Sequence, residues 1–144
     1  MLTIIVPVFN EKKFIRTILK KIIKIKNIKR QIIIVDDGST DGTTNILKKE
    51  FENLKIINKI IFHKTNKGKG AAIKSAQKYI RGDYIGIQDA DLEYNPENYI
   101  KLIEPIKNGI SKVVYGSRVL PGAQRTRPKT LDFKIRYLAN LFLT

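Results

Sequence analysis

Strand-length aliphatic runs alternate with amphipathic helical segments four times before the middle of the chain is far behind, and that rhythm constrains the fold most. Ile32-Ile33-Ile34-Val35 is the clearest run. It lacks polar alternation, which fits a strand covered on both faces rather than one facing water. Strands of this kind joined by helices imply a mostly parallel sheet with right-handed crossovers and helices on both faces.

The first strand is read at Leu2-Thr3-Ile4-Ile5-Val6 and is stopped by Pro7. Asn10 is placed as a helix cap with Glu11 in the first turn, where the helix dipole favours a carboxylate. Phe14, Ile15, Ile18, Leu19, Ile22 and Ile23 then recur at helical spacing. The second strand runs from Gln31 to Val35, and a helix from about Thr44 to Phe51 follows it. The third strand lies near Ile56 to Phe62, with a helix at Ala71 to Ile80 and the fourth strand at Tyr84 to Gln88. Pro96 opens a helix reaching about Asn108-Gly109. A fifth strand is expected at Lys112 to Tyr115 and an apolar-rich helix at Leu131 to Leu143.

Four unusual loops follow strand ends: Pro7-Val8-Phe9-Asn10-Glu11, Asp36-Asp37-Gly38, the Gly68/Gly70 loop and Asp89-Ala90-Asp91. In an open parallel sheet these ends share one rim, where ligands bind. Asp89 and Asp91, two apart on an extended segment, can turn carboxylates to one side. Such hard oxygens suit Mg²⁺ or Mn²⁺ with room left for a diphosphate, and Glu93 could add a third; a plain polar turn before Pro96 is the alternative. Ser39 to Gly42 are explained by turn and capping duties, whereas Asp37 sits where it can accept hydrogen bonds from a base or sugar. Gly68-Lys69-Gly70 resembles a phosphate cradle but meets neither the dinucleotide nor the P-loop fingerprint, so loop geometry also accounts for its glycines. His63, the only histidine, is read as structural, with nothing nearby forming a triad or zinc set. Arg118 could face the rim and neutralise phosphate, or be an ordinary surface arginine.

Length and composition narrow the classes. At 144 residues the chain suits one domain, and 42% hydrophobic residues supply a core. Without cysteine it has neither disulfides nor thiolate metal sites, which fits a cytosolic setting. No aliphatic run approaches the ~20 residues of a membrane span, and no signal peptide is read. The formal charge of +15 is spread as nine basic and no acidic residues from Lys12 to Arg30, and seven basic residues against Asp132 alone from Lys112 to Arg136. Such faces attract phosphates, anionic lipids or RNA, and membrane attraction is favoured over nucleic acid because aromatics are not interleaved with the basic residues. Lysine and isoleucine dominate, a bias that AT-rich coding DNA produces without any binding role.

Val6-Pro7-Val8-Phe9-Asn10-Glu11, Asp36 through Thr43, Asn66 through Ala72, Asp89-Ala90-Asp91 and Gly116-Ser117-Arg118 occur in this order. Together they resemble family 2 glycosyltransferases of the GT-A fold, nearest to the dolichol-phosphate mannose synthase and polyprenyl-phosphate glycosyltransferase group. The resemblance implies a Rossmann-like nucleotide-diphospho-sugar transferase domain over residues 1–144, of which this is the donor-binding portion, since family members continue further. It implies inverting transfer from a UDP- or GDP-sugar to a polyprenyl phosphate, with a saccharide or other hydroxyl acceptor, or a nucleotide-binding domain without turnover, as alternatives. It places Pro7, Phe9, Glu11, Val35 and Asp37 at the nucleotide, with Lys69 and Gly70 beside them. It assigns Asp89, Ala90 and Asp91 to the metal and diphosphate, Glu93 to a variable metal position, and Arg118 to a phosphate. Phe9 stands where tyrosine is often found. The expected setting is the cytoplasm, peripheral to the inner face of the membrane, with no nucleic-acid partner.

Overall fold

The computed structural model describes residues 1–116. β1 (Leu2–Val8) leads to α1 (Ile15–Lys24) and β2 (Arg30–Asp36). α2 (Thr43–Ile46) continues through a widened π-helical turn, Leu47–Phe51, to β3 (Lys59–Phe62). α3 (Lys69–Ala76) ends in a 3₁₀ turn before β4 (Tyr84–Ile87), and a 3₁₀ turn at Pro96–Asn98 opens α4 (Tyr99–Lys107). The strands pair in the order β3-β2-β1-β4, every pair parallel.

The unbroken aliphatic runs take the two central places. Ile32, Ile33, Ile34 and Val35 of β2 are fully buried, as are Ile4 and Val6 of β1; each such side chain contributes roughly 1.5–3 kcal/mol relative to exposure. Alternation along the strands divides the core. Ile4, Val6 and Val8 with Ile32 and Ile34 pack with Ile15, Ile18, Leu19 and Ile22 of α1, Leu47 and Phe51, and Tyr99 and Ile103 of α4. Ile5, Ile33 and Val35 pack on the opposite face with Ala72 and Ala76 of α3. Helices thus cover both faces, as the strand pattern requires. Two buried polar strand residues satisfy one another, the Thr3 hydroxyl donating to Gln31 Oε1 at 2.8 Å while Gln31 Nε2 donates to the Tyr79 carbonyl.

Several boundaries differ from the sequence reading. Pro7 does not stop β1 but pairs with Val35 inside it. The Ile5 carbonyl accepts from Gln88 on the β4 side and the Val8 carbonyl from Asp37 on the β2 side, so the missing N–H of Pro7 points past the last paired residue of β4 and costs no ladder bond. Asn10 is not a helix cap: α1 starts at Ile15 after Phe14, without a side-chain cap, and Asn10 has φ +54°. β3 begins at Lys59 rather than Ile56, which turns outward and is 40% exposed. No strand forms at 112–115, where Val113 and Tyr115 are exposed. Arg118 and the helix expected at Leu131 to Leu143 lie outside the described residues.

Candidate active site

Because every strand runs the same way, the loops after Val8, Asp36, Phe62 and Ile87 all open on one edge of the sheet. The chain progresses from β1 outward to β2 and β3, then returns to place β4 on the other side of β1. That reversal creates a crevice between the carboxyl ends of β1 and β4, the usual ligand position in an open α/β sheet.

The loop after β2 is held by its own aspartates. Asp36 is buried, its Oδ1 accepting from the Ser39 N–H at 3.1 Å and its Oδ2 bonded to the Thr44 hydroxyl. Asp37 is only 3% exposed. Its Oδ1 accepts from Lys67 N–H at 3.0 Å and lies 2.6 Å from His63 Nδ1, while Oδ2 accepts from Gly68 N–H at 2.7 Å and Lys67 N–H at 3.1 Å. Burial pushes this carboxyl up, but the bonds from His63, Lys67 and Gly68 outweigh it and hold Asp37 below the usual carboxylate range. His63 Nε2 in turn lies 2.9 Å from Ser75 Oγ on α3. The reading of His63 as structural, with nothing nearby forming a triad, is corrected in its second part: Asp37, His63 and Ser75 form one line of side-chain hydrogen bonds. Gly38 (φ +74°) lets the loop after β3 pass directly over it, since a Cβ there would lie 2.6 Å from the Thr65 carbonyl carbon.

That overlying loop ends at Lys69, the first residue of α3, whose ammonium sits 2.6 Å from Asp89 Oδ1. Asp89 follows β4 and its side chain is 34% exposed. Ala90 is buried, and Asp91 Oδ1 accepts the Glu93 N–H at 3.0 Å across a left-handed Leu92 (φ +64°). Among the described residues, no three His, Cys, Asp or Glu side chains converge as a metal cage. On the β1 side, Phe9 is 43% exposed, and the Glu11 carbonyl accepts from the N–H groups of Phe14 and Ile15. Asn10 reaches across to the β2 loop, its Oδ1 accepting from Thr40 and Asp41 N–H. The motif loops are thus bonded to one another rather than merely adjacent.

Residues 3–142 match the sequence model of glycosyl transferase family 2. The chain belongs to that family. It is 33% identical over 123 residues to a dolichol-phosphate mannosyltransferase of Pyrococcus furiosus, covering 85% of this chain and 34% of that protein. It is 34% identical over 140 residues to a UDP-N-acetylglucosamine–dolichyl-phosphate N-acetylglucosaminyltransferase of Methanococcus voltae, covering 83% and 52%. Among solved structures it resembles S. aureus TarS residues 1–349 in complex with UDP-GlcNAc (TM-score 0.61, 28% identity, 74% of this chain and 31% of that one). It also resembles the mannosyltransferase PcManGT of Pyrobaculum calidifontis in complex with GDP-Man and Mn²⁺ (TM-score 0.60, 25% identity, 69% and 30%). The chain spans about a third to a half of the length of these curated relatives. The fold is the GT-A fold of these transferases.

Within this family 2 domain, the structure gathers Pro7, Phe9, Glu11, Asp37, Lys69, Gly70, Asp89, Ala90, Asp91 and Glu93 along the carboxyl-end edge. Val35 is different: it is fully buried against α3, so its side chain supports the edge from beneath. Arg118 lies outside the described residues. The parts that sequence reasoning missed are Asn10 as a bridge and the His63–Ser75 pair. Each depends on partners 12 to 31 residues away, and no local periodicity carries that information.

Proposed function

We propose that this chain is the donor-binding part of a glycosyltransferase that moves a sugar from a nucleotide-diphosphate donor to a polyprenyl phosphate, with inversion. The observation that carries the reading is the meeting of Lys69 and Asp89 at the crevice between β1 and β4. A cationic side chain on a glycine loop and an acidic strand end there suit a diphosphate and its counter-ion. The acceptor class is suggested by the two dolichyl-phosphate transferases to which the chain is similar.

The donor set fits a divalent ion chemically: Asp89 and Asp91 offer hard oxygens, and Asp89 already holds a positive group at contact distance. Mg²⁺ or Mn²⁺ held by these two, without convergence of Glu93 on them, would neutralise charge on the departing nucleoside diphosphate. The protein's own contribution is positional. Exposed Phe9 flanks the crevice as a surface for the base, the first turn of α3 at Lys69 and Gly70 offers backbone N–H groups and the Lys69 charge to phosphate, and Arg118 would add a second cation. A lipid phosphate is anionic near neutral pH, so it attacks the anomeric carbon without a general base. Transfer of this kind places the domain at the cytoplasmic membrane face, where its basic segments meet anionic lipid.

Calorimetric titration of the chain with UDP and GDP, with and without Mn²⁺, tests the reading. Metal-dependent binding of one nucleotide is expected, and it is lost in Asp91→Ala with the fold intact. A folded chain that binds neither nucleotide overturns it.

A further inference from the structure

Asp37 is placed at the nucleotide by resemblance, and its carboxylate is also bonded closely within the chain. A carboxylate has about four acceptor positions. Here three donors make four contacts within 3.1 Å, from His63, Gly68 and, to both oxygens, Lys67. The side chain is 4% exposed and that of His63 is 7% exposed.

The direction of the hydrogen bonds follows from the chemistry. An ionised carboxylate only accepts, so the proton between Asp37 and His63 belongs to Nδ1. In the neutral ring Nε2 is then the acceptor and the Ser75 hydroxyl donates to it. Ser75 lies on α3, His63 directly after β3, and Asp37 directly after β2. The line therefore spans the two elements that flank the Lys64–Gly68 loop and the strand end beneath it. Gly38, without a Cβ, lets that loop descend onto Asp37.

We propose that His63 is a positioning residue for the nucleotide site: anchored by Ser75, it orients Asp37 so that the carboxylate clamps the Lys67 and Gly68 amides and fixes the loop beside the donor. The part concerning the donor rests on the function proposed above; the clamp does not. The loop continues without a break into Lys69, so the clamp also fixes the ammonium that contacts Asp89. Asp37 and Asp89, each following a different strand, are thereby linked through three consecutive residues, Lys67 to Lys69.

The test uses the whole chain, ¹⁵N-labelled, with amide exchange and ring ¹⁵N shifts read by NMR and UDP and GDP affinity by calorimetry. His63 is expected to show the Nδ1–H tautomer. His63→Ala should raise exchange at Lys67 and Gly68 by roughly tenfold or more, as expected for loss of a hydrogen bond to a charged group, and weaken the bound nucleotide similarly. His63→Asn, whose amide N–H can occupy the Nδ1 position, should recover most of both. Ser75→Ala, a milder change, should move both readouts in the same direction by less, and it serves where His63→Ala fails to fold. The Nε2–H tautomer, or unchanged exchange at the two amides in the variants, overturns the clamp. Raised exchange with unaltered nucleotide affinity overturns the positioning role. Raised exchange supports the clamp even where the wild type binds neither nucleotide, a result that overturns the donor reading alone.

Discussion

Lys69 Nζ lies 2.6 Å from Asp89 Oδ1, joining the first residue of α3 to the strand end at the crevice. Both side chains are partly open to water, at 56% and 34%, and an ion pair so exposed contributes little to folding. Its consequence is for what can bind. With the ammonium in place, one Asp89 oxygen is already neutralised, and a divalent cation must share or displace it. Lys69→Ala is therefore expected to leave the urea midpoint nearly unchanged and to tighten Mn²⁺ binding in the absence of nucleotide, read by electron paramagnetic resonance. Nucleotide affinity should fall by roughly threefold to tenfold through loss of a phosphate-facing charge. Looser Mn²⁺ binding in the variant would show that Lys69 organises Asp89 rather than competing for it.

Three of the glycines at this edge separate by structural cause. Gly38 has φ +74° and a Cβ would strike the Thr65–Asn66 backbone within 2.9 Å, so Gly38→Ala should destabilise by on the order of 2–4 kcal/mol from strain and overpacking combined. Gly68 has φ +88° and ψ 158°, a region nearly confined to glycine, but open space around it, so its alanine variant should lose about 1–3 kcal/mol from backbone strain alone. Gly70, inside α3 with nothing within 4 Å, should gain about 0.5–1 kcal/mol as alanine. Urea denaturation ranks the three. Gly70→Ala is the informative one for function: a stabilised chain that binds nucleotide poorly would show that this glycine admits the ligand's close approach, and one that binds normally would show it serves only the loop.

Acid should unfold this chain through its edge loops. Burial pushes the Asp41 carboxyl up, but bonds from the Thr43 hydroxyl and from the Lys12 and Thr43 N–H groups hold it below its ordinary value; Asp37 is lowered likewise. A carboxyl with a depressed native pKa adds stability that is complete well above the unfolded value of about 3.9 and is lost as pH falls through the native one. Stability measured between pH 7 and pH 2.5 should accordingly decline below about pH 4. Asp41→Asn, which keeps one acceptor oxygen but cannot titrate, should be less stable at pH 7 and show a shallower decline. An unchanged slope would place the acid sensitivity elsewhere.

How much of this was legible in the sequence depends on the range of the force involved. β1 and β2 were visible because burial on both faces demands aliphatic residues at every position, as in Ile32 to Val35. The rim was visible because parallel strands put their carboxyl ends together whatever their order. Pro7 misled because a strand tolerates proline when the N–H side has no partner, and only the early end of β4 reveals that. Ile56 and Val113 misled because an aliphatic side chain is not itself evidence of burial; both are exposed. His63 was unreadable for another reason: its role is set by Asp37, 26 residues earlier, and Ser75, 12 later, with no spacing rule linking them.

The other wall of the crevice rests on one absent side chain. Gly86 in β4 faces the ring of Tyr99, and a Cβ there would lie 2.4 Å from Cε1 and 2.9 Å from Cζ. Tyr99 is buried, and burial, with Asp89 adding a smaller contribution, raises its phenol well above the usual range. An intruding methyl would move this ring or lift β4 and carry Asp89 with it. Gly86→Ala should cost on the order of 1–3 kcal/mol. Tyr99→Leu alone should also cost stability, through a smaller side chain in the same space. The double variant should be more stable than the sum of the two losses allows, because each change relieves the other. A thermodynamic cycle in urea measures that coupling, and strict additivity would mean that β4, rather than the ring, gives way.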